Sequence, residues 1–221
     1  DFIEKLNDKK NLIGFDNGIY DLNKSLFRCG LPSDFVSLST GYSLPVDVKN
    51  LPVDLEEISD LVGSMDDYNE LNDALDDFLT KGFPIDSVRE YTLRFLSSCL
   101  SGEIREEKFY FWTGSGGNGK SKLVELIDFV LGDYSRSMDV SFLTTKRGSS
   151  SSASPELENI KDARFVYMSE PEKDDLIYVG KLKQMTGGDK MTTRALFRGT
   201  TQFKPQFKIV LMCNDLPQLG G

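Results

Sequence analysis

The eight residues Gly114, Ser115, Gly116, Gly117, Asn118, Gly119, Lys120 and Ser121 have the types and the spacing of a loop that wraps a phosphate chain. Glycines let a backbone curl until several N–H groups point at one anion, and a helix starting at Gly119 aims its positive end at the same point. The Lys120 ammonium then reaches the terminal phosphates, and the Ser121 hydroxyl ligates Mg²⁺. The pattern predicts a nucleotide site with ATP and Mg²⁺ as its cofactors. Its flanks agree. Residues 108–113 (KFYFWT) are an apolar run suited to a strand buried on both faces, and residues 120–131 (KSKLVELIDFVL) have the spacing of an amphipathic helix stopped by Gly132.

Two more apolar runs end in groups that could work on a bound triphosphate. Residues 164–168 (RFVYM) lead into Ser169 and Glu170, and a carboxylate just past a strand end can hold Mg²⁺ or polarise the attacking water. Glu172, two residues on, is a second candidate for that role; the same acids would also suit a solvated helix start. Residues 208–213 (KIVLMC) lead into Asn214, whose amide could bond the γ-phosphate or orient water. The catalytic set is therefore Lys120, Glu170, Glu172 and Asn214, with Ser121 and Glu170 as metal ligands.

The chain excludes other chemistries. It has 221 residues and no histidine, which removes histidine bases, Ser-His triads and most zinc sites. Its three cysteines, Cys29, Cys99 and Cys213, show no paired spacing, so a reducing, intracellular compartment is expected. No run of 18 apolar residues occurs, so no membrane span is expected.

Net charge is −9, but it is unevenly spread. Residues 1–107 hold 10 Lys and Arg against 22 Asp and Glu, a balance of −12, and residues 108–221 hold 16 against 13, or +3. Within the second part, Lys181, Lys183, Lys190, Arg194, Arg198, Lys204 and Lys208 are offset only by Asp189, with Phe197 and Phe203 interleaved. That mixture suits a phosphate backbone with bases to stack against. Lys190, Arg194, Phe197, Arg198 and Lys204 are the expected DNA contacts.

Strands alternating with helices predict an α/β fold with a mainly parallel sheet. The expected organisation is a small β-rich domain over residues 1–62, a helical segment over 63–106 and a phosphate-loop core over 107–221. Residues 12–22 form a hairpin around Asn17-Gly18, with short strands following in LFRCG and in residues 35–44. A first helix spans 66–79 with Tyr68, Leu71, Ala74, Leu75 and Phe78 on its apolar side. A second opens at Pro84 and turns Val88, Tyr91, Leu93, Phe95 and Leu96 inward. Residues 146–155 are low in complexity and expected to be mobile. Residues 176–185 are expected as a helix ended by Gly187-Gly188, and residues 191–196 and 201–203 as the arms of a hairpin.

Taken together, GSGGNGKS, SEPE and the segment LKQMTGGDKMTTRALFRGTTQFKPQFKIVLMCNDLP resemble the superfamily 3 helicases. More narrowly, they are similar to the poxvirus-type helicase-primase ATPase of large DNA viruses and its phage and plasmid relatives. GFDNGIYDL and FRCGLPSDFVSLSTGY resemble the small domain that precedes that ATPase. The resemblance implies an AAA+-like fold, a hexameric ring and ATP-driven translocation on DNA, in host cytoplasm or nucleus if the source is viral. It makes Gly114–Ser121 the A motif, Glu170 the end of the B motif, Asn214 the sensor asparagine, and residues 190–204 the DNA hairpin with Arg198 near its tip. Family members with two adjacent acids at the B strand differ from this chain, where Ser169 precedes Glu170. The arginine finger is expected beyond residue 221 and is assigned to no residue of this chain; brisk DNA-stimulated hydrolysis by the chain alone would place it inside, with Arg164 or Arg147 the first to test. Two other readings of the loop are a nucleotide kinase, for which no arginine-rich lid is found, and a module whose nucleotide serves assembly or DNA loading.

Overall fold

The computed structural model describes residues 2–44, 65–145, 155–172, 175–194 and 200–220. The expected mobile segment 146–155 lies outside them save for Pro155. The chain divides into two compact units, residues 1–101 and 102–221.

In the first unit a short helix α1 (Phe2–Lys5) precedes strands β1 (Leu12–Phe15), β2 (Gly18–Asp21) and β3 (Leu26–Arg28). They form an antiparallel meander, with Phe15 opposite Gly18 across the expected tight turn and Ile19 opposite Arg28. Leu12, Ile13, Ile19 and Phe27 fill its core. Residues 35–44, expected as a strand, are not one. They bond to β1 from Thr40 N–H to Gly14 C=O and from Asp16 N–H to Tyr42 C=O, and a bend at residues 41–42 interrupts the ladder.

Helices α2 (Met65–Gly82) and α3 (Asp86–Ser98) follow. Their inward faces differ from the expectation. In α2 Leu79 is buried while Leu71 and Leu75 are exposed, and in α3 Thr92 and Phe95 face inward while Val88, Tyr91 and Leu93 do not. Periodicity alone missed this because Thr92 hides its polarity locally, donating its hydroxyl to the Val88 carbonyl at 2.9 Å.

One buried ion pair fastens the loop after β3. The Arg28 guanidinium donates to both oxygens of Asp34 at 2.7 and 2.8 Å, and the Leu31 N–H adds a third bond at 2.8 Å. These bonds, Arg28 first, hold the Asp34 carboxyl down at about 2.

The second unit begins with β4 (Phe109–Thr113), α4 (Lys120–Leu131), β5 (Ser135–Met138) and the short helices α5 (Ser141–Thr144) and α6 (Pro155–Ile160). Then come β6 (Phe165–Met168), β7 (Leu176–Tyr178), α7 (Val179–Thr186), the hairpin β8 (Met191–Arg194) and β9 (Thr200–Phe203), β10 (Lys208–Cys213) and β11 (Gln218–Gly220). Four strands make a wholly parallel sheet in the order β4-β10-β6-β5. Val166, Met168, Ile209 and Leu211 lie at its centre, packed with Leu143, Ile160, Met185 and Met191.

The expected strands at 108–113, 164–168 and 208–213 and the helix at 120–131 are all present. Burial separates them: β6 and β10 are inside, but β4 is half-buried because it lies on the edge of the sheet. Residues 176–178, expected as helix, are instead a strand paired in parallel with β11. Strand β5 escaped the sequence reading because Ser-Arg-Ser-Met carries little apolar signal.

The Arg28–Asp34 pair makes a prediction. The folded chain favours ionised Asp34 relative to an unfolded chain titrating near the ordinary value, so the contribution is complete above that value and is lost as pH falls toward about 2. At pH 7, Asp34→Asn should cost about 2 kcal/mol of stability. Urea unfolding at pH 7 and pH 2.5 should show the gap between wild type and variant largely closing at the lower pH; a gap independent of pH would refute the assignment.

Candidate functional site

Register builds this site. Thr113 on β4 lies opposite Cys213 on β10, and Met168 on β6 lies opposite Leu211. Because all three strands run the same way, they release the chain on the same side of the sheet, where α/β folds place their ligands. The segment after β4 is the glycine loop, the segment after β6 is Ser169-Glu170, and the segment after β10 starts with Asn214.

The loop turns into α4 at Gly119, which caps the helix at φ 85°, and Gly117 sits at φ 76°. Side chains are strained in that backbone region, so glycine is what the turn requires. The Asn118 side-chain oxygen accepts the Lys120 N–H at 3.4 Å. Lys120 Nζ donates to the Gly114 carbonyl at 2.5 Å and to Asn214 Oδ1 at 3.4 Å. Asn214 in turn donates twice to Glu170, from its backbone N–H to Oε1 and from Nδ2 to Oε2, both at 2.9 Å. Three of the four expected catalytic residues are thus joined in one hydrogen-bonded chain.

Residues 116–122, Ser169, Glu170 and 212–214 line an open cavity of about 520 Å³. Gly114 contributes through its carbonyl, and Ser115 is exposed on the loop. Glu172 does not line the cavity. Its N–H donates to the Asp175 carboxylate at 3.0 Å and its carbonyl accepts the Asp175 N–H, a local turn that follows the buried Pro171. Met212, Cys213 and Ser169 also line the cavity; the sequence signal that could have found them is their place beside the strand ends.

Among the described residues no group of three or more metal-ligating side chains occurs. At a phosphate site Mg²⁺ takes one or two protein ligands and completes its shell with phosphate oxygens and water. The Ser121 hydroxyl and the Glu170 carboxylate both line the cavity, and their oxygen chemistry fits that ion.

The basic stretch divides. Lys190 and Lys204 are exposed at the base of the β8–β9 hairpin. Arg194 lies on β8 opposite Thr200; its side chain, with Phe197 and Arg198, is outside the described residues. Lys181 is not a surface cation. It is buried, donates to the Phe142 carbonyl and stands 4.8 Å above the Phe142 ring. Phe203 packs on the apolar core instead of standing out for stacking. Arg164 is also inside, 3% exposed, with its guanidinium 4.5 Å over the Tyr134 ring and its pKa lowered to about 10 by burial. It immediately precedes β6, at the end of that strand away from Glu170. Arg147 is outside the described residues.

Over 218 residues, 99% of this chain, it is 45% identical to a putative helicase of Acanthamoeba polyphaga mimivirus, and covers 21% of that protein. Over 223 residues, again 99% of the chain, it is 32% identical to a putative helicase of Invertebrate iridescent virus 3, covering 22% of it. The chain is similar to putative helicases of large DNA viruses. A putative primase of African swine fever virus (isolate Warthog/Namibia/Wart80/1980) is 27% identical over 128 residues, 58% of the chain and 13% of the primase. The chain therefore spans about a fifth of the length of the two putative helicases. Residues 1–80 match the family described as D5 N terminal like, and residues 112–220 match a family of unknown function (DUF5906). In fold, the chain is similar to the C-terminal region of NrS-1, with a TM-score of 0.51 at 16% identity over 65% of this chain and 33% of that one.

The cysteines test the packing around the cavity. Cys29 is exposed, whereas Cys99 and Cys213 are buried. Burial, reinforced by the negative charge of Glu170, pushes the Cys213 thiol up. Iodoacetamide at pH 7.5 should label Cys29 first and Cys213 at least roughly tenfold more slowly, as followed by peptide mapping; equal rates would show that Cys213 is not enclosed.

Proposed function

We propose that this chain carries the ATP-hydrolysing core of a DNA helicase that acts in replication in large DNA viruses. The observation that carries the reading is the meeting of the GSGGNGKS loop with Glu170 and Asn214 at one end of a parallel sheet. The loop's N–H groups and Lys120 would hold the triphosphate, Ser121 and Glu170 would hold Mg²⁺, and Glu170 would take the proton of the attacking water. The helicase and primase names of the relatives support DNA as the partner. On the same reading the β8–β9 hairpin touches DNA, and copies of the chain form a ring, a hexamer by the superfamily 3 resemblance.

Binding and chemistry separate by substitution. Lys120→Ala removes a charge-assisted hydrogen bond worth ~1.5–3 kcal/mol, so ATP affinity in a direct titration should fall at least roughly tenfold. Glu170→Gln should leave ATP bound while turnover falls by ~10²-fold or more, and Glu172→Gln should do much less. Single-stranded DNA should raise wild-type turnover. A nucleotide kinase would ignore the DNA, and an assembly module would show no turnover.

The hairpin is tested by salt. Removing one cation that pairs with a phosphate of single-stranded DNA should reduce the slope of log affinity against log salt by about 0.7. Arg198→Ala, and separately Lys190→Ala with Lys204→Ala, should weaken DNA binding and flatten that slope while ATP affinity stays at the wild-type value. Unchanged slopes would move the DNA-binding surface off the hairpin.

A further inference from the structure

Four of the eight loop residues are glycines, and they are glycine for different reasons. A Cβ on Gly116 or Gly117 would meet no atom of the chain within 4 Å, so these two face open space. Gly114 does not. A Cβ there would lie 2.1 Å from Asn118 Nδ2, 3.4 Å from the carbon of the same amide and 3.7 Å from Lys120 Nζ. The Asn118 amide is therefore folded back over the first residue of the loop, in the space that a side chain at 114 would take. Its oxygen points the other way along the chain, where Oδ1 accepts the Lys120 N–H at 3.4 Å. One short side chain thus ties Gly114 to the start of α4. The cavity wall is consistent with this: it includes Gly116, Gly117 and Asn118, and Gly114 stays behind the Asn118 amide.

We propose that Asn118 is a positioning residue, an internal brace that holds the loop curled before any nucleotide arrives. The brace takes its purpose from the phosphate-loop reading above, but it is a contact of the empty loop. Glycine loses more conformational freedom on ordering than any other residue, and four glycines in eight residues leave the backbone little to keep it curled. Without a brace the N–H groups would converge only as a phosphate bound, and that ordering would weaken affinity. Asn118 does the ordering within the chain. Its amide bears on Gly114 at one end and on the first turn of α4 at the other, so Ser115, Gly116 and Gly117 bend between two fixed points. Asparagine suits the role because it is short and neutral. Aspartate would set a negative charge beside the phosphates, and glutamine would carry the amide one methylene too far. A brace need not touch a phosphate, and its loss leaves Lys120 and Ser121 in the chain to bind one.

Backbone order parameters of the ¹⁵N-labelled chain read the brace directly. Without nucleotide, Asn118→Ala should lower those of the Gly116, Gly117 and Gly119 amides below about 0.6, the range of a flexible segment, while the strands keep theirs; Asn118→Ser serves if the alanine variant does not fold. Saturation with Mg²⁺ and a non-hydrolysable ATP analogue should restore them, with Kd raised about three- to tenfold. Gly114→Ala puts a methyl group in the place of the amide and should act in the same direction. The two substitutions should be non-additive in Kd. The backbone at Gly114, with φ 155°, strains an alanine in either background, so the coupling reports the clash with Asn118. Order parameters already low in wild type, or unchanged by Asn118→Ala or its serine substitute, overturn the brace; a fall in affinity without them would make Asn118 a phosphate ligand instead. Additive effects on Kd also overturn it, because Gly114 and Asn118 would then act independently. If the wild-type chain binds no analogue, the phosphate-loop reading fails, and the order parameters of the empty loop still decide the brace.

Discussion

Strand β10 is hydrogen-bonded on both sides, to β4 and to β6, in parallel, and its register fixes where three chain segments leave the sheet. A shift of one residue would send every side chain of β10 to the other face. Ile209 and Leu211 belong to the core, and Val210 between them is also fully buried, so the shift would have to rebuild packing on both sides of the sheet. That packing holds Cys213 beside Thr113. The meeting of Asn214 with Lys120, 94 positions apart in sequence, follows from it. The bonds that Asn214 makes are exposed; the apolar register beneath them determines where they can form.

The site has no histidine with which to work. It has a lysine, a carboxylate and an amide between them, arranged so that positive charge, dipole and negative charge alternate. An amide is the neutral group that can accept from an ammonium and donate to a carboxylate at once. In an exposed setting these bonds exchange readily with water, which suits groups that must change partners during a reaction. The buried cations show the opposite use of charge. Arg164 over Tyr134 and Lys181 over Phe142 are held against rings inside the fold, where exchange is costly.

Legibility in the sequence followed how locally each feature is determined. The loop and α4 are set by neighbours in the chain, and Gly119 and Gly132 mark the ends of the helix as the sequence predicted. The end of β6 at Met168 and of β10 at Cys213 followed from their apolar runs, and with them the places of Glu170 and Asn214. What sequence could not supply was the order of strands. KFYFWT reads as a strand covered on both faces, and its edge position leaves it half-buried. Lys181 and Phe203 belonged to a basic, aromatic stretch by composition, yet tertiary packing took both inward. Glu170 and Glu172 are two residues apart and both carboxylates; what distinguishes them is that Glu172 N–H pairs with the Asp175 carboxylate while Glu170 lines the cavity.

The hairpin and the cavity at the strand ends rest on one apolar body. Met191 and Thr193 on β8 are buried, and Met191 packs in the same cluster as Met168 and Leu211, the residues on the strands that deliver Glu170 and Asn214. Met185 joins the cluster from α7. A densely packed interior transmits displacement because it has few voids to absorb it. On the proposed reading, force developed where the strands end at the phosphates need not travel through loops to reach the DNA. It passes from β6 and β10 through Met168, Leu211 and Met185 to Met191 at the foot of β8. The basic residues then have to be mounted on that foot, and Lys190, the residue immediately before Met191, is exposed there. On that reading the apolar side chains under the hairpin, Met191 and Met185 among them, would belong to the mechanism together with the charges on it.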